Sequence, residues 1–380
     1  MAATVSWDTL RDLARFRAEK GCAISFYLDL DPSVTPTAGD LATRANALIA
    51  GGERANGANR GDLSHDQRIG LRADFERIGR YIAEDFDRDG ARGLAIFAAG
   101  LDNAWTPLPL TEAVPDDVKV SWDFYLAPLV PLVGRGDGAL VAVVGRERGH
   151  IYRLRGGRLH EVVDRTEEQP RRHDQGGWSQ ARMQRHVDEL AAEHVRDVVE
   201  ELNRRVRQLH APPVVIACTE DMRPEIAEGL AQETRAALAG WINAEAHVGP
   251  SQLLELTAPV LERWRAKREV DLLERWREEV GRQGRAASGW AGTLEAASDG
   301  RVELLLFQEG ADHEAWQCPA CGRAALTDGN CPLDGTRMER REEGLDLAVH
   351  QTLAHGGTVC AVRHRRDLDP VEGVGALLRY

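Results

Sequence analysis

Lysine is nearly absent from this chain. Of 48 basic residues only Lys20, Lys119 and Lys267 are lysine, so 45 are arginine. Arginine forks onto phosphates and stacks on bases, where lysine acts as a point charge. An arginine-only set is equally the product of GC-rich codon usage. A surplus of positive charge is missing too: 61 acidic residues leave a formal net charge of −13, which argues against a general nucleic-acid coat. No apolar run approaches the roughly 18 residues of a membrane span. The opening MAATVSWDTLRDLARFR lacks the basic and then apolar regions of a secretory signal. Cysteine is sparse. Cys318, Cys321 and Cys331 cluster while Cys22, Cys218 and Cys360 are scattered, which is not a secreted disulfide framework. These absences describe a soluble cytoplasmic protein without membrane contact.

What is present can build cores. The 380 residues are 43% hydrophobic and 29% charged, and their number suggests two or three domains. We expect an α/β protein of three domains, at 1–128, 129–266 and 267–380. In the first, residues 7–19 carry apolar positions at helical spacing, 22–30 and 93–98 read as strands, and 69–85 as a helix. In the second, residues 139–144 form a continuous apolar run, as in a strand buried on both faces. Gly156-Gly157 then marks a hairpin between 150–154 and 158–163. A polar stretch, 164–175, leads to a helix from Ala181 to about Leu209. A buried strand follows at 214–218, and a helix at 224–239. The third segment begins with an amphipathic helix over 252–283, with a seam of Leu253, Leu256, Val260, Leu261, Trp264, Leu272, Leu273 and Trp276. It reads as an α/β sandwich: helix 289–298, strand 302–307, helix 345–354, then strands 357–363 and 374–379.

A cysteine-containing insertion, 313–338, interrupts this sandwich. Cys318-Pro-Ala-Cys321 and, after nine residues, Cys331-Pro-Leu-Asp334 have the spacing of a zinc ribbon, with Asp334 where a fourth cysteine is expected. Aspartate ligates zinc at about 2.0–2.2 Å, so a structural Zn2+ held by Cys318, Cys321, Cys331 and Asp334 is expected. His313 is a less well placed alternative ligand. A degenerate ribbon held by its turn residues is the bland reading.

Gln175-Gly-Gly-Trp-Ser-Gln-Ala-Arg182 closes the polar stretch and opens the long helix. Adjacent glycines allow close backbone approach to another molecule. A long loop without an apolar anchor is functional or mobile. Ser179 can cap the helix, and the helix N-terminus favours oxyanions. Between residues 146 and 185 there are ten arginines against six acids, a local surplus in an acidic chain. Such a patch fits RNA contact; it also fits a solvated face beside a glycine hinge.

Gly176-Gly177-Trp178-Ser179-Gln180-Ala181-Arg182 resembles the Gly-Gly-Gln-Ser-x-x-Arg loop of archaeal and eukaryotic class I peptide chain release factors. The helix after it, with Met183, Leu190 and His194, is similar to theirs. So are Gly292-Thr-Leu-Glu-Ala-Ala, Gly300-Arg-Val-Glu-Leu-Leu-Leu-Phe and the ending Gly373-Val-Gly-Ala-Leu-Leu-Arg-Tyr380. The resemblance covers about residues 130–380. It points to the bacterial branch of that superfamily, which includes peptidyl-tRNA hydrolases of ribosome quality control and Pelota- and Balon-like factors. It implies a three-domain, tRNA-shaped monomer in the A site of the large ribosomal subunit, contacting rRNA and cleaving the peptidyl-tRNA ester. By resemblance Gln180 is catalytic, with Gly176 and Gly177 as backbone elements. Trp178 stacks on RNA or anchors the core. Ser179, Arg182, Arg185, Arg171 and Arg172 contact RNA. In an ungapped match Trp178 stands where release factors carry their glutamine. The first domain lacks an Asn-Ile-Lys-Ser-type codon reader, so the implied activity is codon-independent. A non-catalytic A-site factor is the competing expectation. A free nuclease is weaker, because no carboxylate cluster of metal-ligand spacing is evident in the central domain.

Overall fold

The first strand carries Ile24, Phe26 and Leu28 on one face and Tyr27 on the other, and all four are fully buried. A strand apolar on both faces demands cover on both sides, and this requirement organises the first unit. The computed structural model describes residues 5–56, 63–133, 138–155, 157–166, 179–209 and 211–380, with the backbone alone for 166 and 179–188. The chain divides into two units. One comprises Met1–Arg135 with Glu269–Tyr380, the other Gly136–Arg268.

The N-terminal part of the first unit holds α1 (Trp7–Ala14), β1 (Ala23–Asp29), α2 (Ala38–Asn56), α3 (His65–Arg80), β2 (Gly93–Ala99), β3 (Ala104–Leu110) and β4 (Asp117–Ser121). Ser6 starts α1 by accepting the Thr9 N–H at 3.0 Å, and Ser64 with Gln67 forms a capping box on α3. The strands form an antiparallel sheet in the order β3-β2-β1-β4. Phe75, Ile78 and Leu71 of α3 cover the Ile24–Phe26–Leu28 face. Three elements were not expected: α2, β3 and β4. Pro107 and Pro109 hid β3, and an edge strand is where proline is tolerated. Gly51 and Gly52 weaken the helical signal of α2. At Gly52 a Cβ would stand 2.8 Å from Val118 and 2.9 Å from Phe75, so the glycine lets α2 lie close to its neighbours.

The second unit contains β5 (Leu140–Val144), β6 (Arg148–Arg155), β7 (Arg158–Thr166), α4 (Ser179–Gln208), β8 (Val214–Cys218), α5 (Arg223–Gly229), α6 (Gln232–Ala236), β9 (Leu238–Asn243) and the first part of α7 (Pro250–Gly281). Its sheet runs β7-β6-β5-β8-β9, with β5, β8 and β9 parallel and β6 and β7 antiparallel. On one face Val195, Val198, Val199, Leu202 and Val206 of α4 pack on Leu140, Ala142, Val144, Ile151 and Ile216. Burying each such side chain contributes about 1.5–3 kcal/mol. Leu253, Val260 and Leu261 of α7 cover the other face. Gly149 lets α4 approach β6, since a Cβ there would clash with the Val198 side chain. The single helix expected over 224–239 is instead α5, α6 and the strand β9. That strand adds to an existing parallel edge, which local periodicity does not reveal. Leu256, assigned to the α7 seam, is 38% exposed.

The C-terminal part of the first unit adds β10 (Ala286–Ser288), α8 (Gly289–Ser298), β11 (Val302–Gln308), β12 (Ala315–Gln317), β13 (Ala324–Ala325), β14 (Glu339–Arg341), α9 (Gly344–Ala354), β15 (Thr358–Val362) and β16 (Val374–Leu378). The main sheet is β10-β16-β11-β15, and the insertion forms a small sheet β13-β12-β14. Leu273 and Trp276 of α7 pack on Leu306, Val362 and Leu377 on one side of the main sheet. A larger cluster joins Leu294 of α8 and Val349 of α9 with Leu305 and Phe307. It runs on without a break into Tyr27, Phe97, Leu126 and Leu129 of the N-terminal part. One apolar core thus serves residues far apart in sequence.

Candidate functional site

The glycine-glycine loop joins β7 to α4. Arg171, Arg172, Gly176, Gly177 and Trp178 lie outside the described residues. Ser179 and Gln180 are the first two residues of α4, and Arg182 and Arg185 fall in its first turns. The helix is 30 residues long, and its first N–H groups have no partner within the helix, so its start carries partial positive charge. Its far end is fixed. Besides the valine stripe, Asn203 donates through Nδ2 to the Gly229 carbonyl and accepts the Ala231 N–H through Oδ1, both at 3.0 Å. The frame from which the loop leaves is therefore a packed hairpin and an anchored helix.

The arginine patch can be followed over its described half. Arg146, Arg148, Arg155, Arg158 and Arg165 are exposed, and Arg153 is half-buried. Arg146 pairs with Asp221 at 3.4 Å. Charge is divided unevenly between the units. Residues 136–268 hold 20 Lys and Arg against 21 Asp and Glu, while the remainder holds 28 against 40. The acidity of the chain thus belongs almost wholly to the first unit.

A second candidate site lies in the insertion. Cys318, Cys321, Cys331 and Asp334 place one donor atom each within 4.8 Å of one another, a group that could hold a metal ion. Cys321 Sγ and Cys331 Sγ are 3.5 Å apart, and Cys318 Sγ is 3.5 Å from Asp334 Oδ2. The two halves share one backbone design. Cys318 N–H donates to the Arg323 carbonyl and Gly322 N–H to the Cys318 carbonyl. Cys331 N–H likewise donates to the Thr336 carbonyl and Gly335 N–H to the Cys331 carbonyl. Gly322 and Gly335 both take left-handed φ, +79° and +74°. Asp334 therefore occupies the knuckle position that Cys321 occupies in the other half. The Thr336 backbone N–H, 2.9 Å from Asp334 Oδ1, leads the contacts that lower the Asp334 carboxyl to about 2. His313 is not in the group; its Nδ1 faces the Glu314 carbonyl at 2.7 Å. Sequence reasoning missed Gly322, Gly335 and Thr336. The repeat Cys-Pro-x-Cys/Asp-Gly was the available signal.

Residues 125–269 match the model of bacterial archaeo-eukaryotic release factor family 10. This match, together with the archaeal relatives, supports the archaeo-eukaryotic release factor superfamily for that segment of the chain. It is 28% identical to peptide chain release factor subunit 1 of Archaeoglobus fulgidus over 246 residues, 59% of this chain and 60% of that one. It is 24% identical to an uncharacterized protein of Mycobacterium tuberculosis over 311 residues, 77% of this chain and 79% of that one. Among solved structures, an archaeal translation termination factor is 16% identical, with a TM-score of 0.28 over 100% of this chain and 99% of the other. Ribosome-bound archaeal Pelota is 13% identical, with a TM-score of 0.43 over 100% and 95%.

The segment matching this release factor family spans the second unit from β5 through the first part of α7 and includes the loop. The cysteine centre lies outside it. Among the described residues no helix is long and apolar enough to cross a membrane.

Proposed function

We propose that this chain is a codon-independent peptidyl-tRNA hydrolase acting in the cytoplasm on stalled ribosomes or split large subunits. The observation that carries this reading is Gly176-Gly177-x-Ser179-Gln180, whose last two residues open α4, inside the segment that matches the release factor family. In the reaction, water attacks the ester carbonyl that joins peptide to tRNA. A tetrahedral oxyanion forms and collapses, releasing the peptide acid and the tRNA hydroxyl. Gln180 offers a neutral amide that orients the water or donates to the oxyanion without titrating. Gly176 and Gly177 let the backbone approach the ester. A positioned neutral donor of this kind contributes about 10²–10³ in rate, and proximity supplies much of the rest. Trp178, Ser179, Arg171, Arg172, Arg182 and Arg185 contact rRNA or tRNA. The division 1–128, 129–266 and 267–380 is that of a monomer in the A site, with the catalytic loop in its central segment.

A peptide-release assay on 70S and 50S peptidyl-tRNA complexes tests this. Wild-type protein releases peptide, and Gln180→Ala loses about 10²–10³ of the rate. Release by Gln180→Ala at the wild-type rate refutes the assignment. One observation favours a second reading, a non-catalytic A-site factor: Trp178 stands at the ungapped position of the release factors' glutamine. Ribosome co-sedimentation without release by wild-type protein selects that reading, and Trp178→Gln then asks whether activity can be restored.

We also infer that the insertion binds one structural Zn2+ through Cys318, Cys321, Cys331 and Asp334. In a tetrahedron with Zn–S of about 2.3 Å and Zn–O of about 2.0 Å, sulfurs stand about 3.8 Å apart and a sulfur–oxygen edge is about 3.5 Å. The Sγ–Sγ distance of 3.5 Å and the Sγ–Oδ2 distance of 3.5 Å fit those edges. All four donors come from protein, so the ion braces the fold and leaves no open position for catalysis.

A further inference from the structure

The β6–β7 hairpin contains a group of ligating side chains that the loop chemistry does not use. His150 pairs with Asp164 across the two strands. Glu161 is three residues before Asp164, and in a regular strand residues three apart point to opposite faces. The register shifts between Ile151 and Tyr152, where Val163 opposes Ile151 and Glu161 opposes Tyr152. The extra residue is Val162, which is 36% exposed. This bulge turns Glu161 onto the same face as Asp164 and His150. Bulges re-aim side chains in this way next to functional sites.

The result is a convergence on one atom. His150 Nδ1 is 2.6 Å from Glu161 Oε1 and 3.5 Å from Asp164 Oδ1. The His150 ring is held in place by stacking on Tyr152, with centroids 6.0 Å apart. The three donor atoms lie within 4.8 Å of one another. Ligands about 2.0–2.2 Å from a shared cation sit about 3 Å from each other, close to the separations seen here.

The geometry points to a divalent transition-metal site formed by His150 Nδ1, Glu161 and Asp164, separate from the cysteine centre. One imidazole and two carboxylates are a harder donor set than three thiolates and a carboxylate, so the two sites sort metals differently. Mn2+ suits the hairpin, and Zn2+ suits the cysteines. The hairpin ion has three protein ligands, leaving further coordination positions for water. It ties β6 to β7 just before the chain enters residues 167–178. This inference rests on the hairpin alone and stands whether or not the chain hydrolyses peptidyl-tRNA.

The test is Mn2+ titration of the full chain, loaded beforehand with one equivalent of Zn2+ for the cysteine centre, followed by the loss of the free-ion electron paramagnetic resonance signal. Wild-type protein binds one equivalent. Glu161→Gln and Asp164→Asn each weaken binding about tenfold or more, while Glu228→Gln, at an exposed carboxylate of α5, leaves it unchanged. Both substituted hairpin residues are exposed, and circular dichroism verifies that the variants fold. No uptake by wild-type protein overturns the inference, as does uptake by both variants with wild-type affinity.

Discussion

Asp346 in α9 is only 4% exposed, yet it is a carboxylate. Its Oδ1 accepts the Leu126 N–H at 2.7 Å and the Ala127 N–H at 3.1 Å, tying α9 to the end of the N-terminal part. His350 Nε2 stands 3.5 Å from Oδ2 and 2.6 Å from the Phe124 carbonyl. Burial raises the Asp346 carboxyl from 3.8 to about 6 against the opposing pull of His350. The folded state therefore holds this proton more tightly than the unfolded chain. The group's stabilising contribution is full below about pH 4 and is lost as pH rises through about 6. A gap of about two units corresponds to about 3 kcal/mol. Asp346→Asn keeps an oxygen for both backbone donors and removes the buried charge. We expect it to match or exceed wild-type stability at pH 7.5, by up to about 3 kcal/mol less the lost attraction to His350. Asp346→Ala strands two buried N–H groups at about 1–3 kcal/mol each, so it loses about 2–6 kcal/mol. Calorimetric unfolding of the three proteins from pH 4 to 7.5 measures this. The wild-type-minus-Asn difference isolates Asp346 from the other carboxylates. A difference constant across that range, or an Asn variant as unstable as the Ala variant, refutes the reasoning.

Other outcomes follow from the same geometry. Inductively coupled plasma analysis should find one zinc per chain, lost in Asp334→Ala and retained in Asp334→Cys; near-zero zinc in gently purified wild-type protein sinks the metal assignment. Gly149→Ala drives a methyl into Val198 and should destabilise the second unit by about 1–3 kcal/mol, seen as a lower unfolding midpoint. Glu269 is buried and accepts the Arg363 N–H at 3.1 Å and the His364 N–H at 2.9 Å. Glu269→Ala should cost about 2–5 kcal/mol in the first unit by denaturant titration.

Continuous apolar runs were enough to place β1, β2, β5, β8 and β11, because a strand buried on both faces needs no partner to be recognised. Gly156-Gly157 marked the hairpin for a similarly local reason: the turn demands backbone freedom at those positions. The cysteine spacing marked the candidate metal ligands, since a knuckle is a turn of fixed length. Sequence alone also singled out the Gly-Gly loop and its likeness to the release factors. It did not reveal β3, β4 or β9, whose stability comes from hydrogen bonds to strands already in place. It did not separate Leu256 from the seam of α7, because helical spacing marks a broad stripe and packing decides which positions are covered. The equivalence of Asp334 with Cys321 required the paired backbone bonds. The meeting of His150, Glu161 and Asp164 required a bulge, since a strand's alternation otherwise sends Glu161 to the far face. Local chemistry was written in the order of residues. Which distant groups meet was decided by register and burial, which exist only once the chain has folded.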